Sequence, residues 1–172
     1  YAHLTAEQLG YDRNIVALGG ITITPGYGYF SDKSGMVNRY FKAEMYGENA
    51  PDWDTALFVP DMLVINLGTN DRGQASSQKI TESYMEFLKK LRAAYPRTPL
   101  FVMVPFCHDA QLTVAVEKVV EKTDVDGVYL IETASWGIDP GKDNTHPSKE
   151  EHVKAAQKLA QLLTYFAANG RL

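Results

Sequence analysis

The chain has 172 residues, 45% of them hydrophobic and 22% charged, with a net charge of −4. That is enough for one domain with a sizeable core, and with no Lys/Arg run it argues against a nucleic-acid or anionic-membrane partner. No stretch approaches the length of a membrane-spanning helix, and the single cysteine, Cys107, rules out an intrachain disulfide and reads as a buried, inert thiol.

The opening residues place Ala2, Ala6 and Leu9, with Leu4 beside them, on one face of a short helix that stops at Gly10. A helix so close to Tyr1, with no Met before it, leads to the expectation that the natural chain begins earlier. Arg13 to Leu18 reads as a short buried strand, ended by Gly19-Gly20, where the backbone can turn sharply. Residues 21 to 35, rich in Gly, Thr, Tyr and Ser, read as a loop. Met36 to Tyr46 is a candidate helix closed by Gly47, and Pro51 to Pro60 is a connection. Asp61 to Leu67 is an apolar strand that runs into Gly68-Thr69-Asn70-Asp71.

From Ser76 to Tyr95 the period becomes helical, with Ile80, Tyr84, Phe87, Leu88, Leu91 and Ala94 on one face and Pro96 as the stop. Leu100 to Val104 is a strand. Asp109 to Lys122 is a helix with Leu112, Val116, Val119 and Val120 inward. Gly127 to Ile131 is the last strand. Ser148 to Ala168 is the closing helix, capped by Ser148, with Val153, Ala156, Leu159, Ala160 and Leu163 on its apolar side. Strands alternating with helices predict one α/β domain over residues 1–172, a three-layer α/β/α sandwich on a mainly parallel sheet. Ligands bind such sheets at the carboxyl ends of the strands. Gly19-Gly20, Gly68 to Asp71 and Asp143 to His146 fall at such places.

Each of these has a chemical reading and a plainer one. In Asp143-Asn144-Thr145-His146-Pro147 the carboxylate can reach back to one imidazole nitrogen and leave the other to take a proton from a hydroxyl. The plainer reading is a helix cap. Asn70 can offer a neutral N–H to a developing oxyanion, or hold an Asx turn, with Asp71 bracing the loop. Gly20 can present a bare backbone N–H, or simply turn the chain, and Gly19 is a near-equal candidate. His3, His108 and His152 lack metal-ligand spacing and read as surface or helix-face residues. Tyr27 and Trp136 are aromatic candidates for a substrate cleft or for packing.

Taken in order, Gly20, Gly68-Thr69-Asn70-Asp71 and Asp143-Asn144-Thr145-His146-Pro147 resemble the SGNH (GDSL-like) hydrolase superfamily. The resemblance runs from the opening helix to the closing one. It implies a serine esterase acting through an acyl-serine, with His146 as base, Asp143 orienting it, and Gly20 and Asn70 as oxyanion donors. It implies no metal and no organic cofactor. The G-G-x-T stretch is closer to the superfamily's carbohydrate acetyl esterases than to its lipases, so the expected substrate is a small-molecule or carbohydrate ester. The resemblance also favours a secreted or periplasmic location.

One block is missing. The G-D-S that supplies the nucleophile has no counterpart among Ser31, Ser34, Ser76, Ser77, Ser83, Ser135 and Ser148. The expectation is that nucleophile and preceding strand lie upstream, and that this segment completes a flavodoxin-like sheet of order 2-1-3-4-5. Without it the Ile15 and Ile65 strands face a gap with exposed Val and Ile. The rival readings are a metal-dependent phosphoesterase using Asn70, Asp71, Asp143 and His146 as ligands, and a non-catalytic α/β binding module.

Overall fold

The computed structural model describes residues 1–29, 33–47, 49–106, 109–143 and 145–170. Cys107, His108, Ser31 and Asn144 lie outside the described residues.

Helix α1, Ala2–Leu9, ends on Gly10 in the left-handed conformation. A four-residue helix α2, Met36–Arg39, follows the long loop. Then come β1 (Leu63–Ile65), α3 (Ser77–Ala94), β2 (Leu100–Met103), α4 (Ala110–Lys122), β3 (Val128–Ile131) and α5 (Lys149–Ala168). The three strands pair in parallel in the order β1-β2-β3. Each long helix starts where a side chain accepts a backbone N–H: Ser76 from Lys79, Asp109 from Leu112, Ser148 from Glu151.

Strand β2 shows why the domain has three layers. All four of its residues are buried. Leu100 and Val102 point to the α3–α4 side, against Leu88, Leu91 and Val116. Phe101 and Met103 point the other way, against Leu159 and Leu163 of α5. Side chains alternate along a strand, so a strand apolar at every position needs cover on both faces. Helices α3 and α4 supply one cover. Helix α5 supplies the other, with α1 hung on it by Thr5 Oγ1 donating to the Ala156 carbonyl at 3.4 Å. Burial of each large side chain here contributes about 1.5–3 kcal/mol. No helix among the described residues is long and apolar enough to cross a membrane.

Several expectations need correction. Arg13 to Leu18 forms no strand, and Ile15 is 53% exposed. A strand is held by its ladder, and no described strand lies beside this stretch. The segment instead borders an open groove of about 990 Å³, whose lining includes Ile15, Val16, Val59, Met62 and Val64. One edge of β1 is taken by β2, so the groove runs along the opposite one. Helix α2 stops at Arg39, not at Tyr46, because Lys42 turns to bridge Asp52 and Trp53 N–H donates to the Phe41 carbonyl. Residues 21–24 are loop, as expected, but a buried one: Ile21, Thr22, Ile23 and Thr24 are all covered. On α5, Val153 is exposed and Ala155 takes the inward place.

Candidate active site

The exit of β1 is fixed first. Tyr84 of α3 is fully buried, donates its hydroxyl hydrogen to the Leu67 carbonyl at 2.8 Å, and accepts from Leu67 N–H at 3.2 Å. Both backbone groups of the residue before Gly68 are thereby satisfied, and burial pushes the phenol far above its usual range. Gly68 then turns with φ 109°, where a Cβ would lie 2.7 Å from Leu112 Cδ1. Only glycine fits both demands. Thr69–Asp71 form a single 3₁₀ turn.

The loop carrying Gly20 is fastened onto this turn at several points. Asn70 Nδ2 donates to the Ile21 carbonyl at 2.9 Å. Asp71, wholly buried, accepts from Ile23 N–H at 2.9 Å and from Thr24 N–H at 3.0 Å. Burial raises its carboxyl above the ordinary value, partly offset by those donors. Gln74 accepts from Gly28 N–H at 3.2 Å and donates to the Asn70 carbonyl at 2.8 Å. Gly20 itself has φ 82°, and a Cβ there would lie 2.9 Å from Tyr29 Cδ2, whereas Gly19 has neither constraint. The Gly20 N–H makes no hydrogen bond among the described residues.

The second half of the site precedes α5. Asp143 winds the loop onto itself: Oδ1 accepts from Thr145 N–H and His146 N–H, each at 3.0 Å. Oδ2 lies 2.6 Å from His146 Nδ1. The imidazole hydrogen bond, then the backbone N–H groups, hold the Asp143 carboxyl down at about 2. The helix cap is Ser148, so neither Asp143 nor His146 is spent on that job. The His146 side chain is 81% exposed. Its Nδ1 is occupied by the carboxylate, which leaves Nε2 for a substrate or a hydroxyl. An imidazole so held can accept a proton at Nε2 while the charge that forms is balanced at Nδ1.

Arg72 brings the halves together, donating from Nη2 to Thr145 Oγ1 at 3.4 Å. Both loops leave the carboxyl ends of their strands, β1 and β3. Other candidates fall elsewhere. Trp136 is buried against Phe106 in the α5-side core. Tyr27 accepts from Lys79 Nζ at 2.9 Å on the exposed surface. His3 pairs with Glu7, and His152 stacks on Tyr1. Ser76 and Ser148 cap helices, and Ser83 is buried within α3. The metal reading loses a ligand in Asp71, whose oxygens hold backbone N–H groups. Among the described residues no three His, Cys, Asp or Glu side chains gather in a metal-binding group. Arg72, Gln74 and Tyr84 were not legible as site residues, because each acts across the fold on a backbone or loop partner.

Parallel strands covered by helices on both faces, with the polar loops at the strands' carboxyl ends, define a three-layer α/β domain of the kind that binds ligands at that edge. The chain belongs to the GDSL-like lipase/acylhydrolase family, whose model matches residues 1–159. It is 30% identical over 169 residues to the cellulase/esterase CelE of Acetivibrio thermocellus, covering 92% of this chain and 20% of that protein. It is 24% identical over 171 residues to an acetylxylan esterase / glucomannan deacetylase of Cellvibrio japonicus, covering 95% and 47%. The structure of a family two carbohydrate esterase from Clostridium thermocellum, in complex with cellohexaose, superposes with a TM-score of 0.77 at 27% identity. That match covers 99% of this chain and 54% of the other. The chain therefore spans about half or less of the length of these relatives.

Proposed function

We propose that this domain supplies the base and the oxyanion donors of a serine esterase that removes acyl groups, most simply acetyl, from carbohydrates. The observation that carries the reading is the Asp143–His146 pair at 2.6 Å on an exposed ring, tied beside the Asn70 turn. A serine upstream of Tyr1 attacks the ester carbonyl. His146 Nε2 takes its proton, and the tetrahedral oxyanion is held by Gly20 N–H and Asn70 Nδ2. Collapse expels the sugar alcohol, which receives the proton from His146. Water, activated by the same imidazole, then releases the acid.

The sugar substrate is supported by the relatives named for acetylxylan and glucomannan and by the cellohexaose complex. The upstream position of the nucleophile is supported by the groove lined by Ile15 and Val64. It lies along the edge of β1 that pairs with no described strand, where an added parallel strand could extend the sheet. The test is hydrolysis of p-nitrophenyl acetate by the 172-residue chain and by the protein extended upstream. The extended protein should turn over ester, acetylated xylan included, and the chain alone should not. Saturable turnover by the chain alone would overturn the upstream assignment.

A further inference from the structure

Arg72 stands apart from the four residues given roles above, and it touches both halves of the site. It follows directly on Gly68-Thr69-Asn70-Asp71. Its side chain folds back so that Nε donates to the Thr69 carbonyl at 3.3 Å. The same guanidinium reaches across the fold with Nη2 to Thr145 Oγ1 at 3.4 Å. Thr145 in turn donates from its hydroxyl to the Asp143 carbonyl at 3.2 Å and from its N–H to Asp143 Oδ1 at 3.0 Å. That same Oδ1 holds His146 N–H. A continuous hydrogen-bonded path thus runs from the backbone of the Asn70 turn to the carboxylate that orients the imidazole.

The loop at the far end needs such a hold. Asp143 and His146 have side chains 57% and 81% exposed, so packing does not fix them. Their mutual bonds set the geometry within the loop but not its place relative to Asn70. Base and oxyanion donor act on the same reacting carbon, and misplacement by about 1 Å can cost roughly 10²-fold in rate. A guanidinium suits the task because its planar fork presents several N–H donors at fixed angles, so one side chain can register two loops. A lysine ammonium in that place is a single flexible point.

We infer that Arg72 is a positioning residue, which sets the distance between the Asp143–His146 pair and the Asn70 oxyanion donor by bridging Thr69 and Thr145. This rests on the functional reading above, and the two can fail separately. The experiment uses the protein extended upstream and measures kcat and KM on p-nitrophenyl acetate for His146→Ala, Arg72→Gln, Arg72→Lys, Thr145→Val and Arg72→Gln/Thr145→Val. Thermal melting of each checks the fold. Loss of turnover in His146→Ala establishes the site; full activity there sinks the site reading itself, whatever Arg72 does. Given that loss, Arg72→Gln and Thr145→Val should each lower kcat by about 10- to 100-fold with KM within about twofold. The double variant should be no worse than the poorer single one, because both break one path. Arg72→Lys should fall with Arg72→Gln, not with wild type. Unchanged kcat in Arg72→Gln, multiplicative losses in the double variant, or a rise in KM alone would each overturn the inference. Should Arg72→Gln melt early, Thr145→Val decides it alone: it breaks the same bridge with Arg72 in place, and an unchanged kcat there overturns the inference.

Discussion

Asn70 hangs its side-chain amide on the backbone carbonyl of Ile21, 2.9 Å away. An amide nitrogen carries two hydrogens. With one of them anchored on the loop that bears Gly20, the direction of the other is set before any substrate arrives. That is the arrangement an oxyanion donor needs, because it costs no reorganisation when charge develops. In the protein extended upstream, Asn70→Ala should lower kcat by roughly 10² to 10³-fold and leave KM nearly unchanged. Steady-state kinetics on an acetyl ester reads this directly. A higher KM at constant kcat would show that Asn70 binds ground state only.

The Asp143 carboxyl, held at about 2 by His146 and by backbone N–H groups, gives a pH prediction. A depressed carboxyl stabilises the fold above its ordinary value near 3.9, and that contribution is lost as pH falls through the folded value. The Asp143 side-chain carbon, followed by NMR, should titrate near 2, and His146→Ala should return it toward the ordinary range. Asp143→Asn should keep the loop's shape but free His146 to take the wrong tautomer, with kcat falling while melting changes little. A midpoint near 4 in the unmodified protein would contradict the pairing.

Asp71 works in the opposite sense. Burial raises its carboxyl, so the folded chain keeps this proton to higher pH than the unfolded chain does. Stability from this group is greatest below the ordinary carboxylate value and declines as pH rises through the raised one. Asp71→Ala should strand the Ile23 and Thr24 N–H groups in a buried place, at a cost of about 1–3 kcal/mol for each. Urea unfolding at several pH values checks both the loss and the flattened pH dependence.

Tyr84→Phe removes a hydroxyl that serves both backbone groups of Leu67. The expected loss is about 1–3 kcal/mol. Amide exchange of Leu67 should rise, since its N–H loses its acceptor.

Much of this was legible in the residues. The long helices follow from the period of their apolar faces, and the strand at Leu100–Met103 from a short continuous apolar run. The Asp143–His146 pairing follows from a spacing short enough for one loop to close on itself. What failed was what depends on a neighbour. Arg13 to Leu18 has strand composition but no described strand to pair with. That the loop residues 21–24 are buried was not visible, because it depends on Asp71 and Asn70 satisfying their backbone. Of the two readings open for Trp136, cleft or packing, the structure takes packing. Arg72 and Gln74 gave no sign, because their partners lie across the fold from them in Thr145 and Gly28.

The central claim is that His146 serves a nucleophile lying outside residues 1–172. A serine-directed phosphonate, reacted with the protein extended upstream and mapped by mass spectrometry, tests it most directly. The label should sit on one serine before Tyr1, and His146→Ala should slow its uptake by roughly 10² to 10⁴-fold. A label on a serine within residues 1–172, or uptake indifferent to His146, would contradict it.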